Sequence, residues 1–299
     1  MTTSYQATSG AVATSPLVAG IHLSGPNSGK TSLVILSRAT GTIDQPFEVL
    51  QVYEKIATFG TLFSDDRLVD ILDKNGPFAA VFVDCPLSLP PCVACQRPIC
   101  PGVMSCEDVS VAWMMSMSQK SRHKKSRRTR PLNPQSQRLW DVLQTVSGEG
   151  DRPEPTYSAN LAPLVTRART LQRRLNGLKP PLILRETNVP HALDAWQQTL
   201  SLPEDVRLSY RNFERGQEVR EAIVKSWRDR GMLKLKEPQA ALWHPMIRGS
   251  VEVFHALTTA LVSAAFVSQK TVFPPTSFTG DEGWVYLPKS DVELPHLSP

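Results

Sequence analysis

The run AAVFVD, residues 79–84, constrains the fold of this chain more than any other stretch. It is apolar at every position before Asp84, and a strand that is apolar on both faces is usually central and parallel. Upstream, the segments LVAGIHLSG, SLVILSRA and PFEVLQVYEKI predict three strands joined by glycine-containing turns, as in an antiparallel meander. With a fifth strand in PPLILRETN and helices between and after, the order predicts an α/β protein with a mixed five-stranded sheet.

Three segments carry clear helical patterns. SDDRLVDILDKNG predicts a helix that Ser64 caps and Gly76 ends. In residues 161–175 the apolar side chains share one face, and Arg167 lies off that face with other arginines. SVEVFHALTTALVSAAFVSQ predicts a long and strongly apolar last helix.

Length and hydropathy bound the domain organisation. A chain of 299 residues suits one large domain or two small ones. It contains no apolar run of membrane-spanning length, and its first twenty residues lack the pattern of a secretion signal. We therefore expect a cytoplasmic protein without a membrane partner, with a flexible tail over residues 1–17, a single domain over 18–288 and a second tail over 289–299.

Residues 119–160 form a basic and proline-rich insert in that domain. The formal net charge is +5, and seven of the eleven residues in KSRHKKSRRTR are Lys or Arg, with no acid among them. Such a run predicts contact with nucleic-acid phosphates; a solvated linker is the alternative interpretation. The candidate contacts are Lys120, Arg122, Lys124, Lys125, Arg127, Arg128 and Arg130.

Four of the five cysteines lie within residues 92–106. An odd number of cysteines without a secretion signal argues against a disulfide framework. Four thiolates at this spacing can close around a tetrahedral zinc ion or a 4Fe–4S iron–sulfur cluster, and the latter would suit a redox or sensor protein. The loop of residues 91–106 is thus a predicted metal-binding insertion, with unligated thiols as the alternative. Its ligands are Cys92, Cys95, Cys100 and Cys106.

The stretch SGPNSGKTS matches part of the phosphate-binding loop of nucleoside triphosphatases. Gly29, Lys30 and Thr31 fit the end of G-x-x-x-x-G-K-[ST], but Ser24 stands at the first glycine. The apolar SLVIL that follows is typical of a strand, whereas this motif needs a helix whose N-terminus faces the phosphates. A turn between two strands is favoured, and nucleotide binding by Lys30 and Thr31 is the weaker alternative.

Several stretches together resemble the predicted nucleases with an RNase H-like fold that form the domain-of-unknown-function 429 family. The stretches are, in order, AGIHLSGPNSGKTSLVIL, VFVDCPLSLPPC, LILRETNVPHALDA, VFHALTTALVSA and EGWVYLP. The resemblance spans about residues 18–288 and implies an RNase H-like core with a hairpin at Lys30. In such cores, carboxylates from the first strand, the fourth strand and the last helix hold divalent metals that activate water for phosphodiester cleavage.

The resemblance also implies a site, with two departures from the family pattern. His22 and His255 stand where the family commonly has aspartates on the first strand and the last helix, and Asp84 keeps its place after the fourth strand. Glu186 matches an acid after the fifth strand, and Glu252, on the same helical face as His255, is a substitute carboxylate. Imidazole favours zinc, iron or manganese-type ions over magnesium.

Two functions follow as expectations. The first is a metal-dependent nuclease or phosphodiesterase with a divalent metal at these residues. The second is a degenerate, non-catalytic nucleic-acid-binding protein with a cysteine metal centre, in which the two histidines are polar packing residues.

Overall fold

The computed structural model of the chain describes residues 16–25, 29–38, 45–60, 62–122, 132–146, 155–158, 161–197, 199–202, 209–237, 239–274 and 283–289.

One mixed sheet organises the described residues. Its strands run in the spatial order β5-β4-β1-β2-β3-β6. The first three are antiparallel, as predicted, whereas β4 lies parallel between β1 and β5, and β6 lies parallel to β3. The strands are β1 Leu17–His22, β2 Ser32–Ser37, β3 Phe47–Tyr53, β4 Phe78–Val83, β5 Leu184–Glu186 and β6 Leu233–Lys234.

The predicted number of five strands is wrong. The sixth strand, β6, pairs with the start of β3 through Leu233 and Lys234. A two-residue strand shows no alternation of apolar and polar residues, so the sequence carries no periodic signal for it. Lys234 and Lys236 both lie within ion-pair distance of Glu48 on β3, at 3.6 and 2.5 Å.

Helices cover both faces of the sheet, and the main predicted helices are found. Gly76 follows the first helix as predicted, but Ser64 is its first residue, and the Asp66 carboxylate accepts the Phe63 backbone N–H at 3.2 Å. The helices are α1 Ser64–Asn75, α2 Pro91–Ala94, α3 Val109–Arg122, α4 Leu139–Val146, α5 Ala162–Leu175, α6 Val189–Gln197, α7 Gly216–Asp229, α8 Gln239–Gly249 and α9 Val251–Val267, with a short 3₁₀ turn at Val103–Ser105.

Helix α9 is the central element of one face. A Cβ atom on Gly20 of β1 would lie 2.1 Å from the Ala260 backbone nitrogen and 2.3 Å from the Ala256 carbonyl oxygen. Glycine therefore lets the helix backbone rest directly on the strand. This close approach fixes the first turns of α9 beside the carboxyl end of β1. Helices α6 and α7 complete this core, and α1 and α5 pack on the opposite face.

Arg167 of α5 is buried, although the sequence pattern places it off the apolar face. Its guanidinium donates to the Ser24 carbonyl, to Thr31 Oγ1 at 3.0 Å and to Ser64 Oγ at 3.0 Å, and it pairs with Asp65. A charged side chain can be buried when it is paired and hydrogen-bonded in this way. Arg167 thus fastens the connection between β1 and β2 to helix α1.

The closing segment is described over residues 283–289 and pairs with β5. Val285 forms a parallel bridge with Glu186 of β5, and the Tyr286 N–H donates to the Glu186 carbonyl at 2.9 Å. The segment therefore lies along the free edge of β5.

Within the described residues, no single helix is long and apolar enough to cross a membrane. Helices α8 and α9 would pass together on length and composition alone, but the chain bends by 109° between them.

Candidate active site at the carboxyl edge of the sheet

Three of the predicted site residues meet where β1 and β4 end. His22 is the last residue of β1, Asp84 follows β4 directly, and His255 lies in the second turn of α9. Both imidazole Nδ1 atoms approach the same carboxylate oxygen, Asp84 Oδ2, at 2.6 Å from His22 and 2.8 Å from His255. The second oxygen, Oδ1, accepts the Leu23 backbone N–H at 3.1 Å. We call these three residues the His–Asp–His cluster.

The contacts of the His–Asp–His cluster fix its protonation. An ionised carboxylate only accepts hydrogen bonds, so each imidazole donates from Nδ1 to Asp84. Burial alone would raise the pKa of Asp84, but the charge and hydrogen bond of His22, with the hydrogen bond of His255, hold that pKa well below its usual range. Asp84 is therefore a carboxylate at neutral pH.

The two histidines are shifted in opposite directions. Burial would lower the pKa of His22, but the adjacent Asp84 carboxylate outweighs burial and raises it. Burial is the largest influence on His255 as well, and there it prevails, so the pKa of His255 is lowered. The cluster thus pairs a histidine that holds its proton more tightly with one that favours the neutral form.

Two side chains that sequence reasoning missed contact His255. Tyr210 Oη lies 3.1 Å from His255 Nε2, and Arg211 Nη2 lies 3.2 Å from the same nitrogen. Because a guanidinium can only donate, Nε2 is the acceptor, which agrees with a neutral His255 protonated at Nδ1. Both residues stand in the polar stretch SYRNFER, between predicted helices, where no periodic pattern distinguishes them.

The His–Asp–His cluster has the donor set of a metal site. Among the described residues it is the one group of three such side chains whose ligand atoms lie within 4.8 Å of one another. Two imidazole nitrogens and one carboxylate oxygen suit zinc or manganese-type ions. To bind such an ion through Nδ1, each imidazole would present a lone pair in place of its N–H bond to Asp84. His255 would then carry its proton on Nε2, which could donate to Tyr210 Oη but could no longer accept from Arg211. The residues therefore fit a metal, and they also form a complete hydrogen-bonded set without one.

Glu252 lies at the rim of the cluster and is not one of its three members. One of its oxygens is 3.4 Å from Lys30 Nζ, and the other accepts from Ser250 Oγ at 3.1 Å. Its charge contributes to the raised pKa of His22. Glu252 thus acts on the cluster through its charge.

Glu186 forms an ion pair with an arginine that the sequence did not indicate. Arg138 donates to both carboxylate oxygens of Glu186 at 2.8 Å, and the Leu87 N–H donates to one of them, also at 2.8 Å. Arg138 also pairs with Asp141 at 2.9 Å, and all three residues are largely shielded from solvent. We call the first two residues the Glu186–Arg138 pair, and Asp141 is its neighbour. Because Arg138 comes from the polar insert, no sequence pattern links it to β5.

Lys30 and Thr31 lie in a connection between antiparallel strands. Strand β2 begins at Ser32, so no helix N-terminus follows the motif. Lys30 pairs with Glu252, and Thr31 Oγ1 accepts from Arg167. The predicted turn between two strands is confirmed, and the helix that a phosphate-binding loop requires is absent from this part of the described chain.

The cysteine loop has little core of its own. Cys95 and Cys100 are exposed, as are the apolar side chains of Ile99 (81%) and Met104 (67%). Burial, and then the charges of Cys106, Cys100 and Cys95, raise the pKa of Cys92. The thiols are thus neighbours, but among the described residues no three of them lie within 4.8 Å of one another.

The basic run falls almost wholly outside the description. Residues 123–130, with Lys124, Lys125, Arg127, Arg128 and Arg130, lie outside the described residues, as do the side chains of Lys120 and Arg122.

The chain matches no protein-family model, no curated protein and no solved structure.

Proposed function

We propose that this protein is a metal-dependent nuclease or phosphodiesterase with an RNase H-like fold, and that the His–Asp–His cluster is its active site. One observation carries the proposal: the Asp84 carboxylate is shared by imidazoles from β1 and α9 at the carboxyl edge of the sheet. The resemblance draws the metal-binding acids from the first strand, the fourth strand and the last helix. In this chain those elements are β1 with His22, β4 followed by Asp84, and α9 with His255.

The arrangement of elements supports the same fold. Three antiparallel strands are followed by β4 and β5, which run parallel to β1 on its other side. The last long helix packs on β1 closely enough to bring His255 to the carboxylate after β4. A sixth, two-residue strand at the far edge, beside β3, leaves this centre unchanged.

The proposed chemistry assigns a separate task to each residue. A divalent ion held by His22, Asp84 and His255 would activate water and stabilise the leaving oxygen of a phosphodiester. Asp84 supplies the one firm negative charge within the cluster. With the metal bound, Tyr210 Oη would accept from His255 Nε2–H, and Arg211 would place a permanent positive charge beside the cluster, where a phosphate would bind.

The alternative is a binding protein without catalysis, and the Glu186–Arg138 pair favours it. Both Glu186 oxygens are committed to Arg138, so the cluster holds a single carboxylate where such cores use several. In this case nucleic acid would bind without being cleaved, and the histidines would serve the packing of α9 on β1.

Substitution of Asp84 by asparagine tests the proposal. Asp84→Asn keeps the shape of the side chain but removes its charge. We expect loss of manganese binding by calorimetry and loss of metal-dependent cleavage of single- and double-stranded DNA and RNA. Asp70→Asn, an exposed aspartate of α1 that pairs with Lys74, is the matched control and should behave as the wild type.

Restoration of acids sharpens the same test. The double variant His22→Asp, His255→Asp should shift the metal preference towards magnesium, since magnesium prefers oxygen ligands. Cleavage by Asp84→Asn at the wild-type rate would refute the catalytic role. Nucleic-acid binding without turnover in the wild type, with any divalent ion, would support the binding protein instead.

A further inference from the structure

A fully exposed phenylalanine stands next to the proposed active site. Phe213 has no shielding from the rest of the protein, and it lies two residues after Arg211, which contacts His255. Two residues of chain span at most about 7 Å. The Phe213 backbone therefore lies close to Arg211, and its exposed ring stands in the chain between the cations Arg211 and Arg215. We call residues 209–215 the aromatic loop.

Hydrogen bonds hold the aromatic loop in this conformation. Asn212 Oδ1 accepts the backbone N–H groups of Glu214 at 2.8 Å and Arg215 at 3.2 Å. The Asn212 carbonyl accepts from Gly216 N at 3.0 Å, and a Cβ on Gly216 would lie 2.7 Å from the Tyr210 carbonyl oxygen. The aromatic loop is thus held by its own hydrogen bonds, and Phe213 is exposed in that fixed conformation.

The start of the aromatic loop is fixed to the core as well. Arg220 of α7 donates to the Tyr210 carbonyl at 2.6 Å and to the Arg248 carbonyl at 2.8 Å. The Tyr210 ring is buried and packs against Phe254 of α9, with ring centroids 5.5 Å apart. Arg211 lies over that ring, with its guanidinium carbon 5.4 Å from the centroid. Arg211 therefore keeps a defined position between the core and solvent.

An exposed aromatic ring between two cations fits one class of ligand well. Bases of unpaired nucleotides stack on exposed aromatic side chains, and adjacent arginines bind the phosphates. In a duplex the base faces are already stacked, so an exposed ring gains little from it. A guanidinium has five N–H donors, so Arg211 can donate to His255 and to a phosphate together.

We propose that the aromatic loop recognises single-stranded nucleic acid, with Phe213 stacking on an unpaired base and Arg211 binding the phosphate next to the His–Asp–His cluster. The inference rests on the proposed function for the place of the scissile phosphate, but it concerns binding and names the strandedness of the substrate.

Binding measurements without turnover test the aromatic loop. In the Asp84→Asn protein, fluorescence anisotropy with a labelled single-stranded oligonucleotide should show Phe213→Ala weakening affinity by about 5- to 150-fold, the range for loss of one stacked base. Phe213→Trp should bind as tightly as the parent, because it keeps an aromatic face. Affinity for a duplex of the same sequence should change less than twofold.

A matched control separates stacking from general loss of exposed apolar surface. The control position is Ile183, which is half-exposed and directly precedes β5, at the end of that strand away from Glu186. The variant Ile183→Ala should leave single-strand affinity unchanged.

Unchanged single-strand affinity in Phe213→Ala, or an equal loss for single strands and duplex, would overturn the inference. These results are independent of the proposed catalysis. If Asp84→Asn retains full cleavage while Phe213→Ala loses single-strand binding, the aromatic loop stands and the catalytic proposal falls.

Discussion

Asp84 and Glu186 are two buried carboxylates at the ends of neighbouring parallel strands, and their partners differ. Asp84, after β4, receives hydrogen bonds from two imidazoles. Glu186, at the end of β5, accepts from the guanidinium of Arg138 at both of its oxygens and from the Leu87 N–H at one of them. The same residue class at the same edge of one sheet is thus held by titratable groups in one place and by a permanent cation in the other.

The difference decides which carboxylate is available for chemistry. An imidazole can lose its proton and offer a lone pair to a metal, whereas an arginine side chain stays charged and can only donate. The Glu186 and Asp141 carboxylates in turn raise the pKa of Arg138 further, against the effect of its burial. Glu186 therefore holds the insert against β5, whereas the imidazoles around Asp84 can give up a proton and bind a metal ion beside it.

The largest expected effect separates the two carboxylates in activity. Asp84→Asn should lower metal-dependent cleavage by about 1000-fold or more, in the range of losses seen when a group that acts on the reacting atoms is removed. Glu186→Gln, assayed well below its melting temperature, should stay within about tenfold of the wild type, because Glu186 is committed to Arg138. Initial rates with one oligonucleotide compare the variants.

Equal losses in Asp84→Asn and Glu186→Gln would break the comparison. They would place Glu186 in the active site in solution, with Arg138 displaced from it.

The second prediction concerns stability at the Glu186–Arg138 pair. Arg138→Met leaves two buried carboxylates, Glu186 and Asp141, without their cation. Removal of one partner of a buried pair costs about 3–5 kcal/mol, and urea unfolding should show a loss of this size. The double variant Arg138→Met, Glu186→Met should recover part of it, since an apolar pair needs no counter-charge. A loss below about 1 kcal/mol in Arg138→Met would mean that solvent reaches this pair.

The contrast between these carboxylates also marks how far the sequence could predict the site. The apolar run before Asp84, the buried strand that contains His22 and the apolar helix that contains His255 have strong patterns, and the structure places each residue in its predicted element. Their convergence follows from the order of elements that the resemblance implies. The resemblance therefore predicted the three members of the cluster, together with Glu186 and Glu252, which lie outside it.

Partners that arrive from distant segments could not be predicted in this way. Arg138 and Arg211 stand in polar stretches without periodicity, and only the tertiary fold brings them to Glu186 and His255. Arg167 was placed off its apolar face by helical spacing, but a polar pocket of backbone and hydroxyl oxygens buries it. Strand β6 is too short for any pattern, and only the tertiary fold brings it to the start of β3.

The third prediction moves the comparison to the cysteine loop, which has neither a buried ion pair nor an apolar core. We propose that one metal centre, zinc or an iron–sulfur cluster, supplies the missing stabilisation, because structural metal sites hold loops that cannot bury enough apolar surface. Elemental analysis with visible absorption should find the cysteine-bound centre in the wild type and should show its loss in Cys92→Ser, Cys95→Ser, while any metal at the His–Asp–His cluster is retained. Cys85→Ser, which alters the buried cysteine after Asp84, is the control and should keep the metal.

Full metal occupancy in the Cys92→Ser, Cys95→Ser variant would refute the cysteine centre. Hydrogen exchange across residues 91–108 gives a second readout, since loss of the metal should raise exchange there and leave β1 and β4 protected.

The fourth prediction is a pH dependence of smaller size, measured in chelated, metal-free protein. The pKa of His22 is raised in the folded state, so its contribution to stability is complete below the unfolded value of about 6.5 and is lost as the pH rises through the folded pKa. The destabilisation caused by His22→Gln should therefore shrink between about pH 6 and pH 9. Urea midpoints at several pH values measure it.

His255 provides the opposite sign in the same experiment. Its pKa is lowered in the folded state, so below about pH 6.5 the unfolded chain binds this proton more readily, and stability falls as the pH falls. His255→Gln should remove that part of the acid sensitivity. A pH-independent effect of both substitutions would mean that the pKa values of the two imidazoles are not shifted in opposite directions in the folded protein.

The smallest expected effect is that of Lys30, the residue that gives the chain its likeness to a phosphate-binding loop. Lys30 is largely exposed and pairs with Glu252 at 3.4 Å, and exposed ion pairs contribute about 0–1 kcal/mol. Lys30→Ala should therefore change the free energy of unfolding no more than Lys74→Ala, which breaks the exposed pair with Asp70.

Calorimetry should find no tight binding of ATP or GTP to the wild type, because β2 follows Thr31 where a nucleotide site needs a helix N-terminus. The loss of Lys30 leaves Glu252 uncompensated, which should strengthen its pull on the His22 proton and raise that pKa slightly further. Tight nucleotide binding that disappears in Lys30→Ala would instead assign this turn a ligand and move the functional centre away from Asp84.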